Sequence, residues 1–268
     1  MALPGRTNEL VRRIVAANPK TVVVNQSGSA VEMPWVDAVP SLLQAWYLGN
    51  SVGDAIADVL FGNVNPAARL SLTFPKTLRE TPAFGNFGSH SGSTLYGEDL
   101  FVGYKHYVDR HITTLFPFGY GLSYTTFQYS NFTISSEKIV AGTTAKDISL
   151  TSSIAVTNTG SRAGSHVVQL YVAPPVHPLA EPQPSRSLRG FARIDNVAPG
   201  ATGKATIVLD KYAFSAWEPD TITSPGQTAV GRWIVRKGAY GVQLAANAED
   251  VVHTLIVNVE KDIFWTGL

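Results

Sequence analysis

Ser165-His166-Val167-Val168-Gln169-Leu170-Tyr171-Val172 is rich in β-branched and aromatic side chains and contains neither Gly nor Pro. That composition reads as a β-strand. Working outward toward the C-terminus, Ala205-Thr206-Ile207-Val208-Leu209 is a second strand, reached after the turn signal Pro199-Gly200. Gly238-Ala239-Tyr240-Gly241-Val242-Gln243-Leu244 and Thr254-Leu255-Ile256-Val257-Asn258-Val259 follow. Toward the N-terminus, Asn158-Thr159-Gly160 is a further turn, and strand signals begin at Ile148. No stripe at helical spacing interrupts them. Short strands and turns at regular spacing predict an antiparallel β-sandwich.

Upstream the pattern changes. Leu10, Val11, Ile14 and Val15 form an apolar stripe at helical spacing, with Thr7 placed to cap it and Asn18-Pro19 to end it. Thr21-Val22-Val23-Val24-Asn25 reads as a buried strand and Leu42-Leu43-Gln44-Ala45-Trp46-Tyr47 as a second. Gly49-Asn50-Ser51 then leads into a helix whose stripe is Val52, Ala55, Ile56, Val59 and Leu60, with Asp54 in its first turn and Gly62 past its end. Arg69-Leu70-Ser71-Leu72-Thr73-Phe74 reads as a third strand, stopped by Pro75. Strands spaced by helices imply a mostly parallel sheet with crossovers. A stretch rich in Gly, Ser, Pro and Asn, residues 77–94, reads as a long surface loop of the kind that carries function. The expected division is residues 1–127, α/β, and residues 128–268, all-β.

Bulk properties narrow the function. The 268 residues are 44% hydrophobic and 15% charged, enough apolar material for real cores and against disorder. A formal net charge of +1 leaves no electrostatic footprint for nucleic acid or an anionic membrane surface. No apolar run approaches the roughly 20 residues of a membrane helix. Met1 to Arg6 has no apolar core of a signal peptide. Cysteine is absent, which removes disulfides, thiolate catalysis and Cys-based zinc sites and leaves the compartment open.

Four segments of the first half resemble family 3 glycoside hydrolases. They are Asn18 to Val24 running on to Pro34-Trp35; Ala55 to Pro66 followed by Leu72-Thr73-Phe74-Pro75; Tyr96-Gly97-Glu98-Asp99-Leu100-Phe101-Val102-Gly103-Tyr104-Lys105; and Phe116-Pro117-Phe118-Gly119-Tyr120-Gly121-Leu122-Ser123-Tyr124-Thr125-Thr126-Phe127. The last is long, aromatic-rich and irregular, so ordinary core packing does not dictate it. Gln169 to Val172, Leu188-Arg189-Gly190-Phe191 and Gly238-Ala239-Tyr240 resemble the fibronectin type III-like domain that closes many of these enzymes. The resemblance spans essentially the whole chain.

The resemblance implies an incomplete α/β sandwich followed by a fibronectin type III-like sandwich. It also implies a parent enzyme of β-glucosidase type, which hydrolyses terminal β-linked glucosyl residues with retention and without metal or organic cofactor. In the family an N-terminal (β/α)8 barrel carries the Asp nucleophile and the α/β domain supplies the acid/base Glu, placed shortly before the stretch matching Met1 to Gly5. Retention needs two carboxyls about 5–5.5 Å apart. The expectation is that both lie outside this chain, so that no catalytic residue is assigned within it and the chain alone is inactive. Relatives read Tyr-Pro-Gly-Gln-Glu where this chain has Tyr47-Leu48-Gly49-Asn50-Ser51, and Asn-Pro-Ser-Gly-Lys-Leu-Pro where it has Asn65-Pro66-Ala67-Ala68-Arg69-Leu70-Ser71. Leu48, Ser51 and Ala68 therefore alter loop shape and the charge at a helix N-terminus. The competing reading is a non-catalytic carbohydrate-binding or accessory module.

Candidate site residues are few. Tyr96, Glu98 and Asp99 follow the flexible loop; they either line a sugar cleft or are solvated groups at the start of a strand. In a strand, neighbours point to opposite faces, which rules Glu98 and Asp99 out as a facing catalytic pair. His106 and His111 flank Asp109 and Arg110 without a third ligand, so they read as surface histidines and no metal site is assigned. Trp35, Trp46 and Tyr47 read as packing groups or as sugar-stacking rings. Asn131-Phe132-Thr133 is a glycosylation sequon, relevant in a secreted protein; Asn25-Gln26-Ser27 fits the same pattern at the end of a buried strand.

Overall fold

The computed structural model describes residues 1–89, 91–177, 182–219 and 231–267. The chain forms two compact units, Met1–Gly121 and Leu122–Leu268.

In the first unit, helix α1 (Thr7–Ala17) leads to strand β1 (Val22–Asn25), which pairs in parallel with β2 (Ser41–Gln44) in the register Val22↔Ser41 to Asn25↔Gln44. Helices α2 (Val52–Leu60) and α3 (Tyr104–Asp109) follow. Thr7 does not cap α1. It is the first helical residue, and its hydroxyl donates to the Pro4 carbonyl at 2.7 Å while Arg6 holds the cap position. Asn18 does end the helix, turning to extended backbone after its N–H meets the Ile14 carbonyl. Helix α2 runs over the expected residues and stops at Gly62, whose φ of 78° suits a residue without Cβ.

The expected third parallel strand is not formed. Residues 69–74 bend at Ser71-Leu72 and reach a bridge only at Phe74, and their backbone partners come from the Leu115 to Tyr120 segment. Phe74 N–H donates to Phe116 O and Leu115 N–H to Phe74 O, each at 2.8 Å, giving one isolated antiparallel bridge. Gly119 N–H donates to Leu70 O and Leu70 N–H to Tyr120 O, also at 2.8 Å. Among the described residues the first unit thus holds one parallel strand pair, and the chain as a whole is mostly antiparallel strand with few helices. The reason is visible in the side chains. Leu70, Leu72 and Phe74 alternate onto one core with Val31, Met33 and Trp35, so the period of two reported burial, not a ladder partner. Pro75 and Pro117, flanking the bridge, each lack the N–H a longer ladder needs.

The second unit contains β3 (Phe127–Ile134), β4 (Lys138–Ile139), β5 (Ser149–Asn158), β6 (Gly164–Ala173), β7 (Ser187–Val197) and β8 (Thr202–Asp210). It continues with a single helical turn α4 (Lys211–Phe214), β9 (Ala216–Glu218), β10 (Arg232–Val235), β11 (Gly238–Ala245), β12 (Val251–Val259) and β13 (Ile263–Trp265). Sheet β3-β5-β8 faces sheet β4-β12-β11-β6-β7, and β13-β10-β9 forms a smaller third sheet. The only parallel pair among them is β12 with β4. Alternation explains the sandwich. Leu150, Ile154 and Val156 of β5 and Ala205, Ile207 and Leu209 of β8 point inward against Val168, Leu170 and Val172 of β6 and Tyr240, Val242 and Leu244 of β11.

Asn158, fully buried at the end of β5, ties this sandwich to its turn. Its Oδ1 accepts from Thr125 Oγ1 at 2.6 Å and Gly160 N at 3.0 Å, and its Nδ2 donates to the carbonyls of Arg162 and Val197 at 2.7 and 2.8 Å. All four hydrogen-bonding positions of the amide are used, which is what lets a polar side chain sit at zero exposure.

Candidate functional site

The loop that carries Tyr96, Glu98 and Asp99 begins at a pinned point. Thr77 and Glu80 form a reciprocal capping box around the short 3-10 turn Leu78–Glu80, in which the Glu80 carboxylate accepts from Thr77 N at 3.1 Å and Lys76 N at 2.9 Å. Glu32 adds a second anchor by accepting from Leu78 N at 2.6 Å.

Residues 97–100 form a turn, so Glu98 and Asp99 do not start a strand. Asp99 N–H donates to Tyr96 O at 3.2 Å and Phe101 N–H to Glu98 O at 2.9 Å, and Asp99 has φ +48°. The opposite-faces argument therefore does not apply to this pair; the turn itself sends the chain onward into α3. Asn86 Nδ2 reaches Glu98 Oε2 at 3.4 Å, and a Cβ at Gly97 would lie 2.7 Å from that same amide nitrogen. Gly97 is thus the residue that lets Asn86 approach the carboxylate. Glu98 is half-buried, Asp99 exposed and Tyr96 79% exposed. Phe87 and Leu95 are also exposed, so the loop presents aromatic and aliphatic surface beside a carboxylate.

Helix α3 brings His106 and Tyr107 to the same place. His106 has its pKa lowered by burial and by the neighbouring Arg110 charge, against the raising influence of the Glu80 carbonyl and the Glu98 carboxylate. Tyr107, 4% exposed, has its phenol pushed up to about 12 by burial and by the Glu80 charge. Glu80, Glu98, His106 and Tyr107 are thus close enough to feel one another. Sequence reasoning assigned His106 to the surface and did not single out Glu80; the Thr77-x-x-Glu80 spacing was the signal for the latter. His111 is exposed beyond the end of α3, and no cluster of three metal-ligating side chains occurs among the described residues.

The three aromatic candidates separate. Trp35 is 3% exposed and its indole donates to Asn8 Oδ1 at 2.8 Å; Trp46 packs on Phe74 with ring centroids 5.8 Å apart. Both are core groups. Tyr47 is 83% exposed and lies against Gly28, where a Cβ would come within 2.7 Å of its ring. At the end of the β1–β2 pair, Asn25 is buried and donates to Gln44 Oε1 at 2.6 Å and Ser27 Oγ at 3.1 Å. That amide is held inside and is no acceptor for a glycan. Asn131 is exposed, at φ +50°, where the β3–β5 register shifts between Ser130 and Thr133. Of the residues that depart from the family pattern, Ser51 sits at the start of α2 without a side-chain cap, and Leu48 is exposed at 42%. The Ala68 carbonyl approaches Gly121 so closely that a Cβ there would have to displace it. Among the aromatic residues of the 116–121 segment, Phe116 stacks on Tyr120 and Phe118 on Tyr104.

Residues 1–124 match the glycosyl hydrolase family 3 C-terminal domain, and residues 166–248 the fibronectin type III-like domain. A probable β-glucosidase I of Aspergillus terreus is 44% identical over the whole of this chain, which corresponds to 30% of that relative. The crystal structure of β-glucosidase from Kluyveromyces marxianus in complex with glucose aligns at 41% identity and a TM-score of 0.88, over 100% of this chain and 30% of that one. β-Glucosidase 3B from Thermotoga neapolitana in complex with α-D-glucose aligns at 25% identity and a TM-score of 0.84, over 99% of this chain and 35% of that one. The chain spans about a third of the length of the relatives it matches. It consists of a glycosyl hydrolase family 3 C-terminal domain followed by a fibronectin type III-like domain, the pair that makes up about 30% of the β-glucosidases it resembles.

Proposed function

We propose that this chain is the C-terminal portion of a retaining β-glucosidase that removes terminal, non-reducing β-D-glucosyl residues, and that alone it does not turn over substrate. The observation that carries this reading is the end-to-end match of the whole chain to only 30% of the length of β-glucosidases. On this reading the carboxylate pair for retaining hydrolysis, about 5–5.5 Å apart, is completed by the remainder of the parent, the (β/α)8 barrel with its nucleophile. The chain supplies scaffold and one wall of the cleft. Tyr96, Glu98 and Asp99 belong to that wall: the exposed phenol ring offers a face to a pyranose, and the carboxylates accept from its hydroxyls. Sugar positioning, not proton transfer, is their role.

The test is hydrolysis of a fluorogenic aryl β-glucoside by the purified 268-residue chain. The expected result is no turnover above buffer. Steady turnover that survives Glu98→Gln would overturn both the inactive-fragment reading and the role given to Glu98. The second reading, a non-catalytic sugar-binding module, is favoured by the exposed Tyr96 and Phe87 rings. It predicts saturable cello-oligosaccharide binding by the chain that is lost in Tyr96→Ala.

A further inference from the structure

In the second unit, β9 and β10 pair in the antiparallel register Glu218↔Arg232, Trp217↔Trp233 and Ala216↔Ile234. Directly paired residues share a face, so Glu218 and Arg232 lie on one side of this ribbon and the two indoles on the other. Glu218 is gripped from both sides: its Oε2 accepts from Arg232 Nε at 2.9 Å and its Oε1 from Arg236 Nη2. The three groups line a cleft of about 630 Å3, which is also lined by Val172 and the rigid pair Pro174-Pro175. That volume lies within the roughly 300–1,000 Å3 of small-molecule sites.

Charge and hydrogen bonding select the ligand together. Two guanidiniums on one carboxylate leave the network with a net positive charge. Arg189 of β7 lines the same cleft and adds a third cation, its Nη2 reaching the Ser215 carbonyl at 3.4 Å. Tyr240 lines it too but adds no charge, because burial above all pushes its phenol up to about 12. Each arginine of the clamp carries five N–H donors and spends one of them on Glu218. The other side-chain donors of Arg232 and Arg236 meet no acceptor among the described residues. Both side chains are held without them. Arg232 lies over the Phe264 ring, 4.0 Å from its centroid, and the Arg236 backbone N–H is fixed on the Tyr240 hydroxyl at 3.0 Å. The clamp itself shows the anion that it fits, a planar carboxylate between two planar forks. A further carboxylate can meet the donors that Glu218 leaves over. A bare ion would fill little of the cleft, whereas an apolar body behind the head group would cover Val172, Pro174 and Pro175.

We propose that this cleft binds a small organic carboxylate, with the head group on the Arg232 and Arg236 donors that Glu218 leaves over and the apolar body against Val172, Pro174 and Pro175. The site stands on the second unit alone and does not depend on the reading of the chain as part of a β-glucosidase.

The test is calorimetric titration of the full chain, at low ionic strength, with benzoate, benzamide and inorganic phosphate. Benzoate is expected to bind saturably and about tenfold more tightly than benzamide, which has its shape without the charge, or phosphate, which has charge without the body. Arg232→Gln should weaken benzoate binding about tenfold, and Arg236→Lys, which keeps the charge and loses the fork, severalfold. Glu218→Gln should tighten it severalfold by removing the competing negative charge, an effect that a purely structural clamp would not give. Melting of each variant without ligand reads the fold separately, and Arg232, with its side chain 48% exposed, is the residue whose change disturbs packing least. No saturable benzoate binding would overturn the proposal. Equal binding of benzamide would overturn the part given to charge, and tighter binding of phosphate the choice of an organic carboxylate. Loss of binding in Glu218→Gln with the melting temperature kept would overturn the assignment of the head group to the arginine pair.

Discussion

Of the twelve largest side chains below 2% exposure among the described residues, Phe74 alone belongs to the first unit, while Tyr171, Tyr240, Ile154, Leu170 and seven others belong to the second. In the second unit, two facing sheets close over a common core, and every other residue of a long strand contributes to it. In the first, one parallel strand pair and three helices are joined by long extended and turning segments, and the core is small. Helix α1 buries only Val15 fully, leaving Leu10 and Ile14 of its apolar stripe exposed at 57% and 46%; α2 buries no residue fully. Amphipathic patterning thus states which face of an element is apolar, and what covers that face is a separate matter. The second unit answers it with its own strands.

The largest expected effect breaks the second unit alone. Leu170→Ala removes a fully buried side chain from the sandwich core and should cost about 2–5 kcal/mol. Thermal or urea unfolding followed by hydrogen exchange should show the loss confined to β5, β6, β8 and β11, with amides of β1 and β2 unchanged. Equal loss of protection in β1 and β2 would mean that the two cores unfold as one.

A smaller effect sharpens the reading of the first unit. Thr77→Ala breaks the capping box at the root of the Tyr96–Asp99 loop and should cost about 1 kcal/mol. Proteolytic nicking between residues 81 and 103 should rise, while the second unit stays intact. Unchanged nicking would show that the Glu32 contact to Leu78 suffices to hold the loop.

The smallest effect is a pH dependence. The lowered pKa of His106 in the folded state means that the folded chain resists protonation relative to the unfolded chain. Above the ordinary value of 6.5 both states are neutral there and His106 contributes nothing to the slope. As pH falls through 6.5 the unfolded chain takes up the proton first, so stability declines with pH until the folded group titrates as well. His106→Gln should therefore flatten the first unit's melting temperature between pH 7.5 and 5. A parallel shift of the whole curve, with its slope kept, would place the dependence on another group.

Strands β5 and β8 were legible because burial alternates along them, with Leu150, Ile154 and Val156 and with Ala205, Ile207 and Leu209 inward, and there hydrophobic period and hydrogen-bonded ladder coincide; β6 is instead buried on both faces from Val168 to Val172. The same rule misplaced residues 69–74. Leu70, Leu72 and Phe74 reach the core at alternate positions, but Thr73 between them is buried too, and their backbone groups pair with the 115–120 segment, a partner that nothing in the local pattern names. For the candidate site, Tyr96, Glu98 and Asp99 could be picked out as residues, but the turn that holds them and the approach of Asn86, Glu80 and His106 could not.

By itself the sequence determined the division into an α/β-type half and an all-β half, the inward faces of the long strands, the end of α2 at Gly62 and the family motifs. These follow from side-chain period, from the φ preference of glycine and from residue identity, all of which are local. Only the tertiary structure decided that Phe74 pairs with Phe116, that Asn158 spends all four hydrogen-bonding positions inside the sandwich, and that Glu218 is clamped between Arg232 and Arg236. Each of those rests on groups far apart in the chain, whose meeting is set by the packing of the surrounding core and not by any preference of the residues themselves.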